Sequence, residues 1–163
     1  EAGDSRKAVT ILDMVAWIAQ NPGTTYTKQN QDTGYFNRKY IPRTRRPEAA
    51  GDVKLTSPNN YRAIRYADVL LMAAEAYNKS TTANDVLARR YLNEVRARAF
   101  GDNNHNITAS GAALADFIQA ERRVEFAGEG FRFFDLVRTG KALQEIPNSI
   151  RRWKLGAKSW ILI

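Results

Sequence analysis

The chain has 163 residues, enough for one domain with a real core, and its 44% hydrophobic and 26% charged content is that of a folded chain rather than a disordered one. No apolar run approaches the ~20 residues that cross a bilayer, and the absence of cysteine excludes disulfides and thiolate chemistry. The net charge of +8 keeps anionic partners in view, although Arg38–Arg46 holds five of the positive charges and Arg151–Lys158 four more, while the others alternate with acids.

Residues 1–20 read two ways. Ile11, Val15 and Ile18 fit one face of a helix, whereas Val9-Thr10-Ile11 is β-branched and suits a strand. Asn21-Pro22-Gly23 ends either one. From there to Asn60, threonine, amides, glycine and proline dominate, interrupted by Tyr26, Tyr35, Phe36 and Tyr40. A segment this long without periodicity predicts an irregular surface with short strands, and loops of that kind carry recognition. Rings among amides suit sugars, because a ring face stacks on pyranose C–H groups while Asn and Gln bond hydroxyls. Trp17, Tyr26 and Tyr35 are therefore candidate ligand-binding residues; anchoring of the loop to the core is the competing role. The basic run Arg38–Arg46 with Tyr40 reads as a solvated loop, and no nucleic-acid partner is expected.

Tyr61–Arg65 is extended. Tyr66–Asn78 predicts a helix whose stripe is Tyr66, Leu70, Ala73, Ala74 and Tyr77, widened by Val69 and by Met72 as core filler. After a short turn, Thr82 with Asp85 resembles a capping box. The next helix runs to about Phe100 with Ala88, Leu92, Val95 and Ala99 on one face, and Gly101 stops it. The two make a helical hairpin of tetratricopeptide-like dimensions. Asp102–Gly111 is a loop holding the single histidine, His105, which has no second ligand for a metal and no nucleophile–base arrangement around it. Ser110 is a candidate cap for a third helix.

Glu121–Gly140 packs eight charged side chains into twenty residues. At helical period Leu114, Phe117, Ile118, Glu121, Val124 and Glu125 share a face, and a carboxylate inside an apolar stripe demands a cationic partner. Gly128 and Gly130 predict a break near Ala127, then a second helix carrying Phe131, Phe134 and Val137 at i, i+3 and i+6, stopped by Gly140. Five acids (Asp116, Glu121, Glu125, Glu129, Asp135) face four arginines, so the pattern predicts mutual neutralisation in a structural corner made of Glu121, Arg122, Arg123, Glu125, Arg132, Asp135 and Arg138. No catalytic residue, metal ligand or cofactor site is assigned. Pro147 ends this part; Ser149–Gly156 is basic and turn-like, and Lys158–Ile163 predicts a terminal strand. The fold class expected is mainly α, with tetratricopeptide-like helix pairs, long irregular loops and little β.

The order Ile64–Asn78 (IRYADVLLMAAEAYN), Tyr91–Ala99 (YLNEVRARA) and Phe117–Gly140 (FIQAERRVEFAGEGFRFFDLVRTG), with Asp4-Ser5-Arg6 and Lys39-Tyr40 as weaker matches, resembles the C-terminal region of the SusD/RagB family. The resemblance implies that residues 1–163 are the C-terminal portion of one such domain: 1–60 irregular, 61–140 a helical scaffold, 141–163 a terminal loop and strand. Both ends then read as cut from a longer chain. It also implies a non-enzymatic surface lipoprotein of the outer membrane. Such a protein binds oligosaccharide or another nutrient and passes it to a SusC-like TonB-dependent transporter, touching the membrane only through a lipid anchor outside this chain. No binding residue carries over with a matching motif. A tetratricopeptide-like scaffold that docks a protein partner without touching glycan is the alternative.

Overall fold

The computed structural model describes residues 1–41 and 59–146. The expected terminal strand Lys158–Ile163, the basic stretch Arg151–Lys158 and the later part of Arg38–Arg46 lie outside them. Among the described residues the order is α1 (Arg6–Thr10), β1 (Ile11–Asp13), α2 (Met14–Gln20), β2 (Tyr35–Asn37), α3 (Tyr66–Lys79), α4 (Asp85–Phe100), α5 (Gly111–Glu125) and α6 (Phe131–Arg138). The fold is mainly helical with little β, in line with the expected class.

The first twenty residues match neither reading residue for residue. Val9 and Thr10 lie in one turn of helix rather than a strand, and Ile11 opens a short strand rather than sharing a helical face with Val15 and Ile18. A second helix then runs to Gln20, before Asn21-Pro22-Gly23. β1 pairs antiparallel with β2, Leu12 opposite Phe36. Asp13 caps α2 by accepting from the Ala16 amide at 3.1 Å. The segment is tied to the helices at its start, where the Ser5 amide and hydroxyl both donate to the Ala99 carbonyl, at 3.1 and 2.7 Å.

α3 packs on α4 and α5. The connection between α3 and α4 is only residues 80–84, so the two helices form an antiparallel hairpin. Its core is Ala67, Leu70, Leu71 and Ala74 against Ala88, Leu92 and Val95, closed by Leu114, Ile118 and Phe126. The stripe of α3 is therefore rotated from the expected one. Leu70 and Ala74 are buried as expected, but Tyr66, Val69 and Met72 are exposed and Leu71 takes the innermost place. The cause is composition: α3 is apolar on nearly every side, so periodicity alone leaves its phase open. α4, with arginines around most of its circumference, has one possible inward face, and Ala88, Leu92, Val95 and Ala99 occupy it.

Capping differs from expectation at two places. The residue that caps α4 is Asn84, whose side chain accepts from the Leu87 amide at 3.1 Å, not Thr82. Ser110 stands at the N-terminus of α5 but makes no cap bond; its hydroxyl accepts from Arg89 at 2.7 Å. Gly101 ends α4 in a left-handed conformation, as its position predicts. Polar side chains of α4 then hold the following loop: Asn93 exchanges two hydrogen bonds with the backbone of Ile107, and Arg96 donates to the His105 carbonyl.

The charged stretch breaks at Gly128 and Gly130 and restarts at Phe131, as predicted. Its apolar faces do not all turn inward. Phe117 and Val124 on α5 and Phe134 and Val137 on α6 are exposed, whereas Leu136 and Asp135 are buried. α6 is oriented by the ion pairs of Asp135, which outrank its phenylalanines in deciding which side faces α5.

Candidate functional site

Three carboxylates follow one another at helical spacing on α5 and the turn after it. Glu121, Glu125 and Glu129 are all at least nine-tenths buried. Glu121 accepts from Arg6 at 2.5 Å and Arg96 at 2.7 Å. Glu125 accepts from Arg65 at 2.9 Å and, through its other oxygen, from Arg98 at 2.6 Å and Arg6 at 3.2 Å. Glu129 accepts from Arg65 on both oxygens, at 2.8 and 2.9 Å, and from Lys39 at 2.5 Å. Arg6 is held bidentately from its far side by Asp4, at 2.9 and 2.7 Å, and Arg96 reaches Glu1. Five cations (Arg6, Lys39, Arg65, Arg96, Arg98) thus meet five acids (Glu1, Asp4, Glu121, Glu125, Glu129).

A second set lies beside it. Arg122 donates to Asp68 at 2.7 Å and to both oxygens of Asp135 at 3.1 Å. Arg138 bridges Asp135 and Glu75, and Lys79 completes the chain on Glu75. Three cations match three acids. The ring of Phe126 sits between the two sets, 4.9 Å from the Arg65 guanidinium and 5.1 Å from that of Arg122.

These contacts decide the electrostatics. Burial pushes the Glu129 carboxyl up, but hydrogen bonds from Arg65 and Lys39 outweigh it and hold the group below its ordinary value. Glu75 behaves alike: burial raises it, and Lys79 and Arg138 win. Burial lowers Arg6, yet its bonds to Asp4 and Glu121 leave it raised. An acid–base catalyst needs a group poised to exchange a proton near neutral pH, and these groups are pushed the other way. The arrangement is suited to holding α1, α3, α4 and α5 together.

Of the residues expected in this corner, Glu121, Arg122, Glu125, Asp135 and Arg138 are in the two sets. Arg132 is not: it is half-exposed, and its one ion pair among the described residues is with Glu145, at 3.8 Å. Arg123 is exposed and forms no ion pair among the described residues. Chain proximity holds for Arg122 and Arg138 on Asp135 but not for the glutamates. All five cations on the glutamates come from outside α5: Arg6 from α1, Arg96 and Arg98 from α4, Arg65 from the residue before α3 and Lys39 from the loop after β2. Each of them lies in a stretch that carries the resemblance: Arg6 in Asp4-Ser5-Arg6, Lys39 in Lys39-Tyr40, Arg65 in Ile64–Asn78, and Arg96 and Arg98 in Tyr91–Ala99.

Arg6, Arg65, Arg98, Glu125 and Glu129 also line an open cavity of about 980 Å³, together with Thr10, Arg38, Lys39, Asn60 and Arg62. Trp17, Tyr26 and Tyr35 do not line it. Trp17 is partly buried on α2. Tyr26 meets Phe36 edge-on at 6.1 Å, and its hydroxyl hydrogen-bonds to Asp32, which pushes the phenol up to about 12. Tyr35 is exposed on β2. Nearer the cavity is a pair that composition did not single out. Tyr40 and Tyr61 stack at 6.2 Å, and Arg62 lies 5.6 Å above the Tyr40 ring. His105 stacks on Phe100 at 4.0 Å and contacts Asp102, a loop contact remote from the cavity.

Residues 5–157 match the SusD family along almost the whole chain. The chain belongs to the SusD family. Among curated relatives, SusD-like protein P38 of Formosa agariphila is 32% identical over 81% of this chain, and SusD-like protein P2 of the same organism 35% identical over 85%. The chain spans about a third of the length of each: 31% of the first and 28% of the second. Two solved structures are similar. The surface glycan-binding protein A of Bacteroides thetaiotaomicron superposes with a TM-score of 0.72 at 36% identity, covering 88% of this chain and 30% of that one. A laminarin-binding SusD-like protein superposes with a TM-score of 0.68 at 38% identity, covering 96% and 31%.

Proposed function

We propose that this SusD-family chain is part of a glycan-binding protein of the bacterial cell surface. It captures oligosaccharide outside the outer membrane, to which a lipid anchor tethers the whole protein, and delivers it to a SusC-like TonB-dependent transporter. The observation that carries this reading is the likeness to a laminarin-binding SusD-like protein, 38% identical over 96% of the chain. The charge pattern agrees with binding and not catalysis, because the buried acids are matched by cations at hydrogen-bond distance. Trp17, Tyr26 and Tyr35 are proposed as sugar-contacting rings in the segment before α3. An open site of this kind binds modestly, through ring stacking and polar hydrogen bonds shared with water.

Calorimetric titration of the chain with β-glucan oligosaccharides tests the reading. Saturable binding, weakened by Trp17→Ala or Tyr35→Ala with the fold intact, supports it. A second reading draws on the exposed Phe133, Phe134 and Val137 of α6 and on Leu143 beyond it. An apolar face of this kind suits a tetratricopeptide-like scaffold that docks protein. No binding to any oligosaccharide, together with a stable complex with a transporter barrel, would select that scaffold.

A further inference from the structure

Beside the first set of ion pairs lie two cations that do not belong to it. Arg38 and Arg62 both line the cavity, and neither has an acidic partner among the described residues. Each donates to a backbone carbonyl, Arg38 to Ala8 at 2.8 Å and Arg62 to Lys39 at 3.1 Å. A guanidinium has five N–H donors in a planar fork, so both retain donors suited to a carboxylate or sulfate. The cavity is also lined by Thr10, which is 94% buried (6% exposed) and whose hydroxyl has no hydrogen-bond partner among the described residues. A buried hydroxyl left unpaired costs free energy that a ligand oxygen can recover. Arg62 joins the cavity to the Tyr40–Tyr61 stack, whose outer ring, Tyr61, is 69% exposed.

We propose that this cavity binds an acidic oligosaccharide, with a uronate or sulfate group held by Arg38 and Arg62 and the adjoining sugar ring stacked on Tyr61. The inference rests on the glycan-binding reading and adds the charge of the ligand. A nucleic-acid strand fits less well. The two glutamates of the cavity are already matched by Arg6, Lys39, Arg65 and Arg98. Of its described lining cations, Arg38 and Arg62 are left to meet an anion, which suits one discrete group better than a continuous run of phosphates.

The test titrates the full chain with a uronic-acid oligosaccharide, a sulfated oligosaccharide, a neutral gluco-oligosaccharide and inorganic sulfate. At least one acidic sugar is expected to bind more tightly than the neutral one, and to weaken as salt is raised. The R38Q/R62Q double variant should bind that acidic sugar at least about tenfold more weakly, which is ~1.4 kcal/mol. Thr10→Val should weaken it too, whereas Arg90→Gln, an exposed charge of α4 away from the cavity, should not. Far-UV circular dichroism checks the fold; if the double variant unfolds, Arg62→Gln alone, which gives up one hydrogen bond to a backbone carbonyl, carries the test. Equal binding of neutral and acidic sugars with no effect of the arginine variants overturns the inference and leaves the glycan reading standing. Inorganic sulfate binding as tightly as the acidic sugar also overturns it, the site then being one for small ions. Failure to bind any sugar removes both readings together.

Discussion

Replacing Arg122 by alanine separates a buried ion pair from a surface one within a single stretch of sequence. Arg122 is 4% exposed and makes three hydrogen bonds, one to Asp68 and two to Asp135. Removing it leaves Asp135 with Arg138, at 2.8 Å. Asp68 loses its ion pair altogether, although it is equally buried. Stranding a charge in this way costs about 3–5 kcal/mol. For a chain of this length that lowers the melting temperature by about 10 °C. Arg132→Ala should cost about 0–1 kcal/mol, because that pair is long and half-exposed. Urea unfolding followed by circular dichroism measures both. Adding Asp68→Asn to Arg122→Ala should recover about half of the loss, since the stranded charge goes with it. Equal losses for Arg122→Ala and Arg132→Ala would refute the reasoning, as would a loss below about 1 kcal/mol for the former.

Gly128 has φ +78°, and a Cβ there would stand 2.7 Å from Nδ2 of Asn37, which donates to the Gly128 carbonyl. Gly128→Ala should therefore destabilise by about 2 kcal/mol, partly relieved by Asn37→Ala, as thermal melts would register. Asn84→Ala should cost about 1 kcal/mol as a lost cap, and Thr82→Ala almost nothing, so similar melting points for the two would count against Asn84 as the cap. The Glu129 carboxyl is held below its ordinary value of 4.5, so the unfolded chain binds the more protons as the medium turns acid. Its contribution to stability is complete above about pH 4.5 and is lost as pH falls through the lower folded value. Glu129→Gln should flatten that acid limb in a pH series of urea midpoints, and an unchanged slope would mean that Arg65 and Lys39 do not hold the charge.

The sequence by itself determined the helical hairpin, the stop at Gly101, the break at Gly128–Gly130 and the presence of a charged corner. Each of these follows from neighbours in the chain: glycine ends a helix by its own backbone freedom, and α4 has only one apolar side, that of Ala88, Leu92, Val95 and Ala99. The buried acids were legible for the same reason, since Glu121 and Glu125 fall on the stripe of Leu114 and Ile118. Tertiary structure alone decided which cations answer them. Arg6, Lys39, Arg65, Arg96 and Arg98 all come from outside α5 and the turn after it, and sequence distance says nothing about which long side chain arrives. It also set the phase of α3, apolar nearly all round, and turned α6 so that Asp135 is buried while Phe134 is not. Where a side chain has a single low-energy surrounding, local sequence is enough; where several would serve, the choice belongs to packing, because leaving a charge unpaired costs more than leaving a ring in water.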